Sequence, residues 1–231
     1  MEVKENIVET VSFDEMYVTD REPTVYIRKK PIYEFLKRAF DIVASLLGLI
    51  LLIIPLLIVA LFIVIDSPGA SPIYVQERVG KNGRTFRFYK FRSMVPNAEN
   101  LLEQLLDKNE MEGPAFKIKH DPRITGFGCF IRKTGIDELP QLWNVLKGDM
   151  SLVGPRPPLP REVEQYTDYQ YQRLLVVPGL TCYWQIQPKR NSLPFDKWLA
   201  FDLKYIAERS VWTDIKILFK TFGAVFGLEG Q

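Results

Sequence analysis

The chain has 231 residues, of which 47% are hydrophobic and 25% charged, and its formal net charge is +2 at pH 7. A chain of this length and composition can bury one main core with an appendage, and its near-neutral charge gives no indication of nucleic-acid binding. It has one histidine, His120, and two cysteines, Cys129 and Cys182, outside any zinc or redox spacing. Zinc sites and histidine dyads are therefore disfavoured, and a reducing compartment is expected. Any catalysis would use carboxylates, lysines and arginines.

The first clear pattern is a long apolar stretch that follows a weakly patterned arm. Residues 1–30 carry mixed charges, and we predict an N-terminal arm there. Residues 31–66 are the predicted membrane segment, because no residue from Ile42 to Ile65 is charged. That stretch of about 24 residues is roughly 36 Å long as a helix, enough to cross a bilayer. It begins too far into the chain for a cleaved signal peptide.

Pro55 lies near the middle of this segment and predicts a break in the helix, because proline removes a backbone hydrogen bond. Each half, Ile42–Ile54 and Leu56–Ile65, is too short to cross a bilayer alone. Basic residues flank both ends, so the positive-inside rule does not choose a side. Two interpretations remain open, a re-entrant hairpin that returns to the cytoplasmic face and a kinked spanning helix.

Residues 67–231 predict one globular domain, and its first elements are a basic hairpin and a short helix. Alternation over Thr85–Phe91 predicts a strand, and Gly80–Gly83 predicts the preceding turn. The basic strand either binds phosphate or is a solvated edge. Leucines within Asn97–Asp107 then predict a short helix.

An acidic pair, Asp137 and Glu138, precedes a second helical pattern that ends at Gly148. The spacing predicts Asp137 at the N-cap, with Glu138 and Pro140 in the first turn. One interpretation is a capped helix with no further role. The other is a phosphate site, at which both carboxylates hold Mg²⁺ and Asp137 attacks phosphorus. Arg132 and the proline-flanked Arg156 would then bind phosphate.

The C-terminal third predicts a strand and two helices. Pro178-Gly179 indicates a turn before a strand at Leu180–Ile186, and Trp198–Ile206 predicts a helix in which Asp202 faces either solvent or the interior. The last apolar stripe, within Val211–Phe226, predicts an interfacial helix or one packed on the core. Its members are Trp212, Ile215, Phe219, Phe222 and Phe226, with Asp214, Lys216 and Lys220 on the other side.

Several motifs occur in a fixed order between Lys37 and Lys220. They are KRAFDIVASLLGLI, RTFRFYKFRSM, DPRIT, IRKTGIDELPQLWNVLKGDMSLVGPRP, VPGLT, WQ and FDLKYI. The series resembles the monotopic bacterial polyprenyl-phosphate phosphoglycosyl transferases. The resemblance implies an α+β fold, with a re-entrant helix-break-helix in the membrane and a mainly helical catalytic domain over residues 67–231. That domain would carry a small β element and interfacial amphipathic helices.

The resemblance also implies an activity and a location. A sugar-1-phosphate, expected to be a hexose-1-phosphate, would pass from a UDP-sugar to undecaprenyl phosphate, with release of UMP and with Mg²⁺ as cofactor. The KIKHDPRIT and PPLPREV stretches look closest to the glucose and galactose subgroup. The protein would lie on the cytoplasmic face of the bacterial inner membrane and start surface polysaccharide assembly. Contact with membrane lipid is implied, nucleic acid is not, and a homodimer is left open.

Residue by residue, Asp137 is similar to the family's nucleophile and Glu138 to its partner, and both to its metal ligands. Arg132 is similar to a phosphate-binding arginine. The other expected substrate-binding residues are Lys90, Arg156, Asp202 and Arg190.

The chain departs from the family pattern in three places. Ile54-Pro55 replaces the frequent Ser-Pro, and Gln-Pro-Lys-Arg-Asn replaces Gly-Arg around Arg190. Many relatives carry further N-terminal membrane helices, so the chain is expected to be the catalytic core with a short arm. Two other functions are weighed against this one: a membrane-anchored interaction module, and an enzyme that transfers a phosphate-linked group by direct single displacement.

Overall fold

The fold begins with one long helix, α1 (Pro31–Asp66). The computed structural model describes residues 29–111, 113–116, 118, 120–187 and 193–225. The helix runs through Pro55, so the predicted break does not interrupt it. At about 1.5 Å per residue, α1 is roughly 54 Å long. It is long and apolar enough to cross a membrane, and the re-entrant path stays a prediction.

The remaining elements are short helices, two small sheets and two C-terminal helices. The strands are β1 (Ile73–Val79), β2 (Thr85–Phe91), β3 (Ser151–Val153) and β4 (Gly179–Thr181). The α-helices are α2 (Gly126–Thr134), α3 (Gln141–Lys147), α4 (Pro160–Val163), α5 (Asp168–Tyr171), α6 (Phe195–Glu208) and α7 (Val211–Val225). The 3₁₀ helices are Lys81–Gly83, Glu103–Lys108, Ile136–Glu138 and Gln172–Leu175. This mixture agrees with the expected α+β class.

One side of α1 packs on the globular part along most of the helix. Leu49 and Leu52 join the main core, which includes Val145 and Ile206. Farther along, Ile63 is 1% exposed and packs in a second cluster with other apolar side chains. The opposite side is apolar and open, and Leu51 is 76% exposed there. One side of α1 is therefore packed on the protein, and the opposite, apolar side is open.

Polar contacts fix the N-terminal part of α1 to the domain. Lys37 forms an ion pair with Asp214 of α7 at 2.8 Å, and Tyr33 donates to the same carboxylate at 2.9 Å. Arg38 donates to the carbonyl oxygens of Val145 and Leu146 at 2.7 and 2.8 Å. These carbonyls belong to the last turn of α3, where that of Val145 also accepts from the backbone N–H of Gly148 at 3.1 Å. The base of α1 and the end of α3 are thus held together.

The predicted hairpin is confirmed. β1 and β2 pair antiparallel, with Val79 opposite Thr85 at the turn, and Asn82 there has φ of 57°. β3 and β4 form a parallel pair. Gly179 must be a glycine, because a Cβ atom there would lie 2.0 Å from the backbone nitrogen of Gly154.

Two predicted elements are wrong in extent. The predicted strand Leu180–Ile186 ends at Thr181, because the following residues turn so that Trp184 stacks on Trp198 of α6 at 4.4 Å. The predicted helix Asn97–Asp107 is a series of turns followed by the 3₁₀ helix Glu103–Lys108. A spacing of three residues aligns Leu102 and Leu105, and only Leu105 is fully buried.

The C-terminal helix α7 has its aromatic stripe exposed. Trp212, Phe219 and Phe222 are 64%, 74% and 62% exposed. The interpretation in which these residues pack on the core is therefore wrong. The prediction that Asp214 lies on the polar side of α7 is also wrong. This residue is buried and bonded to Tyr33, Lys37 and Tyr205. Phe226 lies outside the described residues. A membrane interface for α7 stays a prediction.

Candidate active site

The two carboxylates lie in a tight connection between α2 and α3. Thr125 caps α2 by accepting a hydrogen bond from the backbone nitrogen of Gly128 at 2.9 Å. Gly135 ends the helix with φ of 71°, a conformation that favours glycine. The chain then enters the 3₁₀ helix Ile136–Glu138 directly. Asp137 and Glu138 are therefore placed by a fixed turn between two helices.

Asp137 is not the N-cap of α3, which corrects the sequence-based placement. The helix begins at Gln141, and Pro140 occupies the N-cap position. An N-cap side chain accepts from a backbone N–H two or three residues later. The N–H of Leu139 instead donates to the carbonyl oxygen of Ile136 at 3.2 Å in the 3₁₀ turn, and Pro140 has no N–H. The carboxylate of Asp137 is consequently not engaged in capping.

The carboxyl group of Asp137 is buried among charges. Its residue is 8% exposed, and burial followed by the nearby Glu138 raises the pKa of Asp137 to about 6. Lys90, Arg132 and Arg156 act in the opposite direction and favour the ionised form. At neutral pH this carboxylate is ionised but poorly solvated, which suits a nucleophile.

Arg156 holds the second carboxylate. Its Nη1 atom donates to Glu138 Oε1 at 2.8 Å, and this pair raises the pKa of Arg156. Arg156 comes from the Gly-Pro-Arg-Pro loop after β3, so the loop and the acidic turn are joined directly. The expected phosphate-binding arginine therefore also positions Glu138.

Lys90 and Arg132 complete the set of cations around Asp137. Burial, then Arg132 and Arg78, lower the pKa of Lys90 to about 8. Arg132 donates from Nε to Ser93 Oγ at 2.9 Å, and burial lowers the pKa of its guanidinium. Because these cations depress one another's proton affinity, an anion bound between them would be strongly favoured.

Asp202 is separated from this centre by an intermediate residue. It is 0% exposed, which settles the inward orientation, and it accepts a hydrogen bond from Arg173 at 2.5 Å. Arg173 also donates to the carbonyl oxygen of Arg156 at 3.3 Å. Asp202 thus reaches the site through Arg173 and the Arg156 loop, and no described hydrogen bond joins it to Asp137 or Glu138. Arg190 lies outside the described residues.

The acidic pair fits a magnesium ion better than a zinc or calcium ion. Among the described residues, no cluster of three or more His, Cys, Asp or Glu side chains could hold a metal. Mg²⁺ is typically bound by one or two carboxylates, with substrate phosphates and water as the other ligands. Asp137 and Glu138 would supply that number, and phosphate oxygens and water would take the remaining positions.

Comparison with known proteins identifies the family. The sequence pattern described as bacterial sugar transferase matches residues 32–228. The chain belongs to this family. It is 51% identical over 191 residues to the galactosyl transferase CpsE of Streptococcus agalactiae, covering 82% of this chain and 42% of that protein. It is 46% identical over 200 residues to the undecaprenyl-phosphate galactose phosphotransferase of Salmonella typhimurium, covering 85% of this chain and 41% of that protein.

Another relative is shorter and close to this chain in length. The exopolysaccharide production protein ExoY of Rhizobium meliloti is 39% identical over 200 residues, covering 85% of this chain and 88% of that protein. The chain therefore spans less than half of the two longer relatives and most of the shorter one. Together these matches confirm the family indicated by the sequence motifs.

Sequence reasoning missed two arginines of this chain. Arg173 is the buried link described above, and the only signal for it is that a lone aspartate in an apolar helix needs a charged partner. Arg78 lies on β1, and no motif in the sequence singles it out. It lines an open cleft of about 770 Å³ together with Lys90 and Arg132. Its place beside both residues depends on strand pairing, which the local sequence does not reveal.

Proposed function

We propose that the chain transfers a sugar-1-phosphate from a UDP-sugar to undecaprenyl phosphate and releases UMP. The observation that carries this proposal is Asp137, a buried carboxylate surrounded by Lys90, Arg132 and Arg156 and adjacent to Glu138. The names of relatives support the substrates, since one is called an undecaprenyl-phosphate galactose phosphotransferase and another a UDP-galactose-lipid carrier transferase.

In the first step, an oxygen of the Asp137 carboxylate attacks the phosphorus that carries the sugar. The bond between this phosphorus and the bridging oxygen breaks, and UMP leaves with the bonding electrons. The sugar phosphate is then attached to Asp137 as an acyl phosphate. Lys90 and Arg132 stabilise the negative charge that builds up on the phosphoryl oxygens and on the departing phosphate.

In the second step, a phosphate oxygen of the lipid acceptor attacks the same phosphorus. The bond to Asp137 breaks, and the carboxylate returns to its ionised form. The product is a polyprenyl diphosphate sugar, and neither step requires a net proton transfer. An acyl phosphate suits this role because it stays reactive enough to pass the group on.

Asp137 and Glu138 would hold the Mg²⁺ ion, with Arg156 orienting Glu138 through the 2.8 Å contact. A bound Mg²⁺ would neutralise charge on the diphosphate and so ease the approach of an anionic carboxylate. Arg156 donates to Oε1 of Glu138, so Oε2 is the oxygen that would bind the ion.

For the membrane, we propose that α1 enters and leaves on the cytoplasmic face of the inner membrane. The packing of α1 supports this path, since Lys37 near its start and Ile63 near its end both contact the same globular part. A helix that crossed the bilayer would carry one of these contacts to the other side. The open apolar side of α1 would then face lipid.

The sugar is proposed to be a hexose, with galactose as the first candidate, and the pathway is the assembly of a surface polysaccharide. Relatives carry galactose in their names, whereas one at 39% identity is named for glucose and one at 40% for N-acetylgalactosamine. A production protein for exopolysaccharide is among the relatives that match over most of their length.

The test uses the purified chain in nanodiscs with a panel of UDP-sugars. The expected result without acceptor is about one equivalent of UMP together with a phosphohexose adduct on Asp137 detected by mass spectrometry. Continued turnover should require undecaprenyl phosphate. UMP release with no adduct would favour direct displacement. No UMP release from any UDP-sugar would overturn the proposed function and favour an interaction module.

A further inference from the structure

An open cleft of about 770 Å³ adjoins the carboxylate site and shares Lys90 and Arg132 with it. The two transfer steps do not use the rest of this cleft. One wall is a single face of the hairpin, since Tyr74, Gln76 and Arg78 alternate along β1 and Lys90 lies opposite Tyr74 on β2. Six cationic and four anionic side chains line the cleft, which leaves an excess of two positive charges. The cationic residues are Arg78, Lys90, Arg92, Arg123, Arg132 and Arg161.

Two of these cations are already engaged in ways that reduce their availability. Arg123 forms a 2.7 Å ion pair with Asp121 and donates to the carbonyl of Ala98. Arg92 donates to the carbonyl of Ser71 at 2.8 Å and lies over the ring of Tyr74. The cations closest to the reacting carboxylate are therefore the ones to consider for phosphate.

Arg78 is fixed in position but incompletely bonded. Its Nη1 donates to the carbonyl of Pro157 at 3.0 Å, and Nη2 donates to Gln76 Oε1 at 2.8 Å. Its guanidinium carbon lies 5.2 Å from the centre of the Phe88 ring. The Nε atom is buried and has no hydrogen-bond partner among the described residues. A buried donor without a partner costs stability unless a ligand supplies the acceptor.

The position of Arg78 orders the cations along the site. Pro157 follows Arg156 directly, so Arg78 is bonded to the same loop that holds Glu138. Arg78, Lys90 and Arg132 line the cleft, whereas Asp137, Glu138 and Arg156 are not among its lining residues. Arg78 therefore lies on the cleft side of the site, and Lys90 and Arg132 adjoin both the cleft and Asp137. Burial, and then Arg156, lower the pKa of Arg78 to about 10, as expected for a cation that lacks a matching anion.

We infer that Arg78 binds the phosphate next to the nucleoside, the one that leaves as UMP, and that the nucleoside lies in the cleft. The inference rests on the proposed function, because it divides the donor diphosphate between two groups of cations. The phosphate that carries the sugar lies at Asp137 among Lys90, Arg132 and Arg156. The other phosphate lies on the cleft side, where the guanidinium of Arg78 supplies a charged donor.

This assignment predicts that Arg78 acts in only one half of the reaction. UMP binding and UMP release need Arg78, whereas transfer from the Asp137 adduct to the lipid acceptor occurs after UMP has left. The experiment therefore measures UMP affinity by calorimetry, adduct formation without acceptor, and transfer from isolated adduct after addition of undecaprenyl phosphate.

Three variants are compared with the parent protein. Arg78→Gln should weaken UMP binding and slow adduct formation by about 10- to 100-fold, the range for a lost charge-assisted hydrogen bond. Arg78→Lys, which keeps the charge but loses the fork, should fall between Arg78→Gln and the parent. Arg87→Gln makes the same charge change on the exposed opposite face of the hairpin and should match the parent. The adduct should pass to the acceptor at the parental rate in all three.

Each outcome decides between the inference and its alternatives. Parental UMP affinity in Arg78→Gln would overturn the inference while leaving the proposed function in place. Equal slowing of both halves would overturn it too, because it would mean that Arg78 only supports the Arg156 loop. No UMP release by the parent protein would overturn the proposed function itself, and with it the inference.

Discussion

Arg173 and Asp202 form a buried ion pair at 2.5 Å, and the same nitrogen of Arg173 lies 3.3 Å from the carbonyl oxygen of Arg156. The other terminal nitrogen of Arg173 donates to the hydroxyl of Tyr166 at 2.8 Å. Since Arg156 holds Glu138, a chain of contacts runs from the interior of α6 to the acidic pair. Arg173 and Asp202 therefore position the site without touching the reacting atoms.

The first prediction concerns this pair. Asp202→Asn should lower the free energy of unfolding by about 3–5 kcal/mol, because it leaves Arg173 charged and uncompensated in the interior. For a chain of this size, the melting temperature in detergent should fall by roughly 10 °C. Turnover should fall as well, because the Arg156 loop is no longer held.

A double substitution separates stability from positioning. Asp202→Leu with Arg173→Met removes both charges, and replacement of a buried ion pair by apolar residues is often neutral for stability. The melting temperature should recover. Turnover should stay as low as in Asp202→Asn. Full recovery of turnover would show that the pair serves stability alone.

The second prediction tests the nucleophile. Asp137→Asn keeps the shape of the side chain but removes the attacking oxygen anion, so turnover should fall at least about a thousandfold. The melting temperature should change little, because Asp137 does not cap α3. Asp196→Asn, at an exposed position in the first turn of α6, is the matched control and should leave turnover near the parental value. UMP release within a few-fold of the parent in Asp137→Asn would rule out the covalent mechanism.

The third prediction is a pH dependence of donor binding. Lys90 has a pKa lowered to about 8, so its ammonium is charged below that pH and neutral above it. Attraction for the donor diphosphate is thus fully present below pH 8 and lost as the pH rises through this value. The KM for the UDP-sugar should rise between about pH 7 and pH 9, with a smaller change in kcat.

Lys90→Arg provides the control for this titration. Arginine stays charged throughout this range, so the rise in KM should disappear even if the absolute KM differs. A rise of the same size in Lys90→Arg would assign the pH dependence to another group.

Local sequence predicts the elements of this chain better than their contacts. The β1–β2 turn and the extent of α1 follow from nearby residues, because glycine at a turn and an unbroken apolar run act locally. The motif series groups Lys90, Arg132, Asp137, Glu138 and Arg156, and the structure places these five near one another, whereas Asp202 is joined only through Arg173. By contrast, the partnership of Arg173 with Asp202 joins residues 29 positions apart.

Two errors have different physical origins. The apolar stripe predicts Asp214 on the polar side of α7 with Lys216 and Lys220, yet Asp214 is buried against α1 through Lys37 and Tyr33. The spacing predicts a helix start at Asp137, and this is wrong because the Leu139 N–H is used within the 3₁₀ turn and Pro140 has no N–H. Tertiary partners decide the first case, and the lack of a free backbone donor decides the second.

The fourth prediction concerns the path of α1. If both ends lie on the cytoplasmic side, cysteines at Ile32, which is 76% exposed, and at the exposed Lys81 should be equally protected from an impermeant thiol reagent added outside intact cells. Cys129 is exposed and should first be replaced by serine, whereas Cys182 is buried. Both sites should react after the cells are opened. Labelling of only one site in intact cells would show that α1 spans the membrane.

The last prediction tests whether α7 lies in the membrane interface. Phe219 and Phe222 point away from the core and are 74% and 62% exposed, while Ile217 on the same helix is 0% exposed. Replacing both phenylalanines with serine should weaken liposome binding and slow transfer to undecaprenyl phosphate, because aromatic side chains anchor such helices at headgroup depth.

The outcome of this double variant can be compared with that of a core variant. Adduct formation from a UDP-sugar and the melting temperature in detergent should stay close to the parental values in Phe219→Ser/Phe222→Ser. Ile217→Ser should do the opposite, lowering the melting temperature because a buried apolar group is lost and a hydroxyl is buried. If the double variant instead unfolds earlier and binds liposomes as the parent does, the stripe contributes to folding and the interfacial assignment of α7 is wrong.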